Sequence, residues 1–226
     1  MIEEGFPKIE LMVSEDGSST LYRPDLDEHY HSVHGAVQES LHVFIYAGLK
    51  LVNKSRFNLL EVGFGTGLNA YLTLAAMSEN SECHYHSLEK YPLPDGYSRA
   101  INYPEVYPFQ GARELFNRMH ACDWESEQLI RSGFFLRKIK TDFNRYQFDA
   151  GYDLIYFDAF GPDKQPEMWT PDLFVKLFDA TNPGGILTTY SAKGSVRRAL
   201  KAAGYVVDRL PGPPGKREMI RAIKPA

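Results

Sequence analysis

Cysteine is nearly missing from this chain: Cys83 and Cys122 are the two among 226 residues. Two thiols cannot build a disulfide framework or a cysteine-based zinc site, and they suit a reducing cytoplasm. No window approaches the roughly 18 consecutive apolar residues of a membrane span. The N-terminal MIEEGFPKIE lacks the basic-then-apolar layout of a signal peptide. Excess positive charge is missing too: 25 Lys+Arg stand against 29 Asp+Glu, a net charge of −4. There is no internal repeat and no low-complexity stretch. What remains is ordinary globular composition, 43% hydrophobic and 13% aromatic, enough for one large domain or one domain with an extension.

Charge is unevenly spread. Residues 190–226 carry nine Lys/Arg against Asp208 and Glu218, a local +7, so the rest of the chain carries −11. A basic C-terminal region on an acidic body suits a local contact with a polyanion, or simply the wet faces of terminal elements.

Residues 1–55 read as an N-terminal extension. Ile9, Leu11 and Val13 alternate, Glu15-Asp16-Gly17 signals a turn and Leu21-Tyr22 resumes, which predicts a β-hairpin. Val37, Leu41, Phe44, Ile45, Gly48 and Val52 recur at three-and-four spacing, which predicts one helix from Ala36 to Val52. From residue 56 to 226, short apolar runs alternate with helical stretches. The runs are Leu59–Val62, His84–Leu88, Phe134–Ile139, Leu154–Phe157 and Ile186–Tyr190; the helices are Leu68–Met77, Arg113–Ile130, Leu173–Ala180 and Val196–Ala203. This order predicts an α/β fold, a doubly wound, Rossmann-like, mostly parallel sheet. Tyr205–Leu210 and Glu218–Ile223 are too close for a crossover and should form an antiparallel hairpin at its edge. A parallel sheet with an antiparallel last strand resembles the class I methyltransferases that use S-adenosylmethionine.

The first strand runs into Glu61-Val62-Gly63-Phe64-Gly65-Thr66-Gly67-Leu68-Asn69. Glycines at 63, 65 and 67 let the backbone turn sharply and approach a ligand. Their spacing is shorter than the dinucleotide G-x-G-x-x-G, and Glu61 would repel a phosphate while favouring the cationic methionyl end of S-adenosylmethionine. Glu89 closes the second strand, 22 residues past Gly67, where such folds place the carboxylate that accepts ribose hydroxyls. Lys90 offers it a competing ion pair. Asp142 at the end of the third strand suits the adenine amino group. The fourth strand ends at Asp158-Ala-Phe-Gly-Pro162, where an acid would hold and aim an acceptor amine. At an ordinary carboxylate pKa it would be a poor base, so positioning is its expected role.

These residues suggest a family. Asp158–Trp169 (DAFGPDKQPEMW) resembles the D-[GA]-F-[AG]-P-x-K-[NQ]-P-[DE]-M-W signature of the tRNA 5-aminomethyl-2-thiouridine methyltransferases, the methyltransferase half of bifunctional MnmC and the stand-alone MnmD proteins. Glu61–Asn69, Ser87–Leu93, Thr189–Arg198, Lys216–Met219 and the stretch from Tyr30 through Glu39-Ser40 to Phe44 are similar to further family segments, so the likeness covers most of residues 28–223. It implies methyl transfer to the aminomethyl nitrogen of the wobble uridine. Gly63, Gly65, Gly67, Asn69 and Glu89 would hold the cofactor, and Asp158 the amine. Phe160, Pro162 and Trp169 would shape a pocket for an extruded uracil, with a hydrophobic plug under the loop as the alternative for Trp169. Lys164, Arg197, Arg198, Lys216 and Arg217 would meet tRNA phosphates around the anticodon. No metal is implied. The sequence ends without a second glycine-rich turn for flavin, so separate enzymes are expected to supply the aminomethyl group. Pro211–Gly215 is longer than the family's link. His29, His31, His34 and His42 lack an acid at ligand spacing and read as structural or substrate-side residues. An aminopropyltransferase of the same fold, acting on a small amine, is the rival enzyme; a fold retained only for binding would not keep the glycine turn and Asp158 intact.

Overall fold

The computed structural model describes residues 8–94, 96–148 and 151–226; the first seven residues of the extension lie outside them. The extension begins with a small antiparallel sheet, β1 (Glu10–Val13), β2 (Ser19–Arg23) and β3 (Glu28–His29). Its first turn serves a helix. Ser14 Oγ accepts from Ala36 N, Ser18 Oγ from Val37 N and Asp16 Oδ2 from Gln38 N, at 3.2, 3.2 and 3.0 Å. Those amides open α1 (Ala36–Ser40) and have no partner within it, so the hairpin caps the helix from outside. The predicted single helix to Val52 is corrected here. The chain widens into a π turn over Leu41–Tyr46, and a 3-10 turn follows over Leu49–Leu51. The apolar stripe still lands inward, with Val37, Phe44 and Ile45 buried.

The main sheet has eight strands: β4 (Arg56–Val62), β5 (Glu82–Glu89), β6 (Glu127–Arg131), β7 (Phe134–Lys140), β8 (Tyr152–Phe157), β9 (Thr181–Thr189), β10 (Val206–Pro211) and β11 (Glu218–Ile223). Their order is β10-β11-β9-β8-β4-β5-β7-β6, with the five central strands parallel and β11 antiparallel to β9. The mostly parallel, doubly wound sheet with its antiparallel edge is therefore present. Strand alternation feeds two cores: Leu154 and Tyr156 face one apolar cluster, Ile155 and Phe157 the other. The first cluster takes in α2 (Leu68–Ala76), α5 (Ala112–Ala121) and the extension's Phe44; the second takes in α6 (Pro171–Ala180) and α7 (Gly194–Ala203). Thr170 caps α6, accepting from Leu173 N, and Pro171 opens it, an arrangement written plainly in its sequence. Two short helices, α3 (Tyr97–Ala100) and α4 (Tyr103–Val106), lead into α5.

The other edge departs from expectation. The predicted helix Arg113–Ile130 stops at Ala121, and Gln128–Ile130 belong to β6, antiparallel to β7. The turn is Ser132-Gly133, a hairpin signal that the helical reading overran. Gly133 has φ +76, and a Cβ there would lie 2.3 Å from Ser81 O. Among the described residues, no helix is long and apolar enough to cross a membrane.

The basic C-terminal region is less free than its composition suggests. Lys193 pairs with Asp163, Arg209 with Glu218, Lys216 with Glu39 and Arg221 with Asp208. Arg197, Arg198, Lys201 and Arg217 make no ion pair among the described residues.

Gly133→Ala combines a positive φ with a backbone clash and should cost about 2 kcal/mol or more. Urea unfolding of the variant checks this; an unchanged midpoint would contradict the assigned β6–β7 turn.

Candidate active site

The carboxyl ends of β4, β5, β7 and β8 open onto one cavity of about 600 Å³. Backbone bonds continue the ladder into the loops: Gly63 N donates to Leu88 O at 2.9 Å, Thr141 N to Glu89 O at 3.0 Å and Asp158 N to Val62 O at 3.2 Å. Gly63, Gly65, Glu89, Asp142, Asp158 and Phe160 lie on the wall, and so do Lys164 and Lys216, which the sequence reading set against phosphates.

Gly65 N donates to Glu89 Oε2 at 3.0 Å, and Tyr91 N to Glu89 Oε1 at 2.8 Å. Burial pushes the Glu89 carboxyl up, and the amide bonds pull it back. Gly65 has φ +49, and a Cβ there would meet the Tyr30 ring at 3.1 Å, so the turn must stay bare at that point. Lys90 chooses Asp142 instead of Glu89: Nζ lies 2.9 Å from Asp142 Oδ2 and holds that carboxyl below its usual range. Asp142 also accepts from Asn144 N at 3.0 Å, capping a short turn.

Five positions expected around the ligands, Glu61, Asn69, Gly67, Trp169 and Pro162, lie off the cavity wall. Glu61 does not line the cavity. Leu60 and Val62 face the second apolar cluster, so alternation turns Glu61 toward the face of Leu59, where it is fully buried. Ser87 Oγ donates to its Oε2 at 2.6 Å, Oε1 has no hydrogen-bond partner among the described residues, and burial raises the carboxyl well above the ordinary value. Asn69 also sits off the wall, as a brace: its Nδ2 donates to Asp158 Oδ2 at 2.7 Å and Ser40 Oγ donates to its Oδ1. Gly67 is the left-handed residue before α2, against Phe64 and His120. Trp169 is buried beneath the loop, 4.8 Å ring to ring from Phe157, and its Nε1 donates to Phe160 O at 2.8 Å. It supports the loop from below and presents no face to the cavity. Pro162 is half-buried off the wall, and Arg197, Arg198 and Arg217 lie outside it.

Asp158 sits deep in the cavity at the end of β8. Burial pushes its carboxyl up to about 7; the Asn69 bond lowers it, Glu39 raises it and Lys216 lowers it. Tyr190 OH donates to Ala159 O at 2.8 Å, and Phe160 meets Tyr30 edge-on at 5.2 Å.

Sequence reasoning gave no site role to Arg23, Glu28, Tyr30, Ser32, Val33, Glu39 or Tyr190, all on the wall, and read their neighbours His29 and His31 as structural or substrate-side. The histidine-rich stretch was the available signal. His31 Nε2 lies 2.8 Å from Thr66 Oγ1, which also accepts from Tyr103 OH at 2.8 Å, so the extension is tied to the glycine turn. On that turn's other side, His120 Nε2 lies 3.2 Å from Thr66 O. Burial lowers both imidazoles to about 4. His34 and His42 instead contact Glu15 and Pro211 O, and no group of three ligating side chains occurs among the described residues.

Residues 133–225 match a family described as S-adenosyl-L-methionine-dependent methyltransferase. The bifunctional tRNA 5-methylaminomethyl-2-thiouridine biosynthesis protein MnmC of Pseudomonas syringae pv. syringae is 32% identical over 213 residues, covering 87% of this chain and 32% of that protein. The same protein of Ectopseudomonas mendocina is 34% identical over 208 residues, covering 84% and 31%. The chain thus spans about a third of the length of these curated relatives. Among solved structures, MnmC2 from Aquifex aeolicus superposes with a TM-score of 0.75 at 26% identity, over 99% of this chain and 74% of that one. Spermidine synthase from Thermotoga maritima, with a TM-score of 0.56 at 12% identity over 95% and 72%, shares the fold. The sheet, the glycine turn and the acids at its strand ends accompany a match, over residues 133–225, to the S-adenosyl-L-methionine-dependent methyltransferases. Within that class the chain is a homologue of the MnmC proteins along most of its length.

His31 and His120 are neutral when folded and take up protons near pH 6.5 when unfolded. Their contribution to stability is complete above about pH 6.5 and is lost as pH falls toward 4, by at most about 1.4 kcal/mol per pH unit for each imidazole. Urea midpoints on either side of that window, in the native chain and in His31→Gln, measure the loss. The reading fails if both chains show the same pH dependence.

Proposed function

We propose that this protein transfers a methyl group from S-adenosyl-L-methionine to the aminomethyl nitrogen of 5-aminomethyl-2-thiouridine at the wobble position of tRNA, giving 5-methylaminomethyl-2-thiouridine. The observation that carries this is Asp158, with its carboxyl near neutrality, at the meeting point of the glycine turn and the DAFGPDKQPEMW loop. The homology to MnmC proteins supports the choice of substrate.

The residues present fit the cofactor. Acids rim its side of the cavity and Gly65 N already donates to Glu89, which suits ribose hydroxyls and a cationic ligand better than a phosphate. Glu89 would take the ribose, Asp142 the adenine amino group, and the bare backbone at Gly63 and Gly65 the methionyl part. The cofactor supplies a sulfonium methyl: a C–N bond forms as the C–S bond breaks, and the sulfur keeps the electron pair.

The protein's own part is to present a neutral, aimed nitrogen. An alkylammonium has a pKa of about 10, so handing its proton to an ordinary carboxylate near 4 would cost about 8 kcal/mol. Against a carboxyl at about 7, the cost falls to about 4 kcal/mol. Asp158 is thus able to accept the proton as well as orient the amine, a larger role than its sequence context suggested. Asn69 fixes one carboxylate oxygen and leaves the other for the amine. Phe160 and Tyr30 would flank the uracil. Lys164 on the rim and Arg197, Arg198 and Arg217 outside would contact phosphates, at the anticodon stem of a tRNA in the cytoplasm.

Transfer of labelled methyl should occur to tRNA from cells lacking this methylation and not to normal tRNA, with the label at the wobble uridine. Asp158→Asn should lower kcat by about 10²- to 10³-fold while cofactor binding persists. The rate should fall as pH drops through about 7, because protonated Asp158 can no longer accept. No label in either pool, with the cofactor bound, would overturn the tRNA assignment and leave small amines as the acceptors to try.

A further inference from the structure

Lys216 enters the cavity from the proline-rich loop between β10 and β11. Its ammonium pairs with Glu39 and lies 4.0 Å from the centre of the Tyr190 ring. Glu39 belongs to α1, is 7% exposed and reaches the same cavity. The Tyr190 ring is held in place by its hydroxyl bond to Ala159 O. Asp158 lines the same cavity, so two carboxylates, one aromatic face and one alkylammonium share one space with little water between them. The pair is half-buried, with Glu39 covered and Lys216 partly open to solvent, and such a pair contributes little net stability to a fold, so its position inside the cavity calls for another explanation.

Resting on the proposed amine acceptor, we propose that Asp158, Glu39 and the face of Tyr190 form the cage for the acceptor's primary alkylammonium group, and that Lys216 is an intramolecular occupant which the acceptor displaces. The ε-ammonium of lysine and an aminomethyl ammonium are the same chemical group on a methylene carbon. Carboxylates and a π face that hold one will hold the other. Without a cation the two carboxylates would repel each other, and Lys216 offsets that repulsion while the site is empty. Its flexible stem lets the charge swing out toward an incoming polyanion when an amine takes its place. Glu39 is then a positioning residue for the acceptor, supplied by the extension and not by the sheet.

The test uses the full chain and methylammonium as the probe, with cofactor binding measured alongside as the check on folding. Titration calorimetry should show Lys216→Met binding methylammonium at least about tenfold more tightly than the native protein. Adding Glu39→Gln, or Tyr190→Leu, to that variant should abolish the gain. A parallel measurement needs no variant: saturating methylammonium should raise the ratio of Lys216 to exposed Lys50 acylation by an amine-reactive ester, read by mass spectrometry, a ratio that consumption of ester by the probe leaves unchanged. Equal affinity in the native and Lys216→Met proteins, a gain that survives loss of Glu39, or an acylation ratio that methylammonium does not raise would overturn the cage. Because the probe is not a nucleic acid, a protein that binds it as described yet fails to methylate tRNA would overturn the tRNA reading alone.

Discussion

The cavity depends on the register of β4 between its two parallel neighbours. Leu59 through Val62 pair with both Tyr85–Leu88 and Leu154–Phe157, and the two bonds beyond the ladder, at Gly63 and Asp158, stop all three chains at one level. A slip by one residue would exchange the faces of each strand and send Leu60 and Val62 out of the second core. The two apolar clusters therefore fix where three carboxylates emerge. Hydrophobic burial does the aligning, and the polar chemistry follows from it.

Those carboxylates share a cavity but not an environment. Glu89 is held by two backbone amides, Asp142 by a lysine, and Asp158 by one neutral amide amid opposing charges. Each arrangement sets a different balance between desolvation and compensation. Asp142 is kept ionised and suited to recognition, while Asp158 is poised to exchange a proton. Glu61, buried nearby with one oxygen lacking a hydrogen-bond partner among the described residues, takes the neutral extreme of the same series.

The sheet was legible because its strands are short apolar runs bounded by turn residues, and because the loops that carry the chemistry follow directly from strand ends. β4, β5, β8 and the closing hairpin all fall within a few residues of where their sequences place them. What was not legible is direction. Glu61 lies at the right place in the chain and points away from the cavity by strand alternation, while Trp169 takes the plug of its two readings, its indole N–H donating to the Phe160 carbonyl. The β6 strand was hidden because Leu129 and Ile130 continue a helical spacing until Ser132-Gly133 ends it. The wall from the extension was hidden for another reason. Tyr30, His31 and Glu39 meet partners 35 to 177 residues away, at Gly65, Thr66 and Lys216, and no local pattern encodes such distances.

Glu39 stands on a helix of five residues, too short to persist unaided, whose first amides are satisfied by Ser14, Ser18 and Asp16. A surface turn thus underwrites the exactness of a buried carboxylate across the domain. Damage there would leave the sheet, its cores and the cofactor wall standing. On the proposed activity, what would erode first is discrimination: an enzyme still folded and still able to load its cofactor, but less able to tell its proper amine from water.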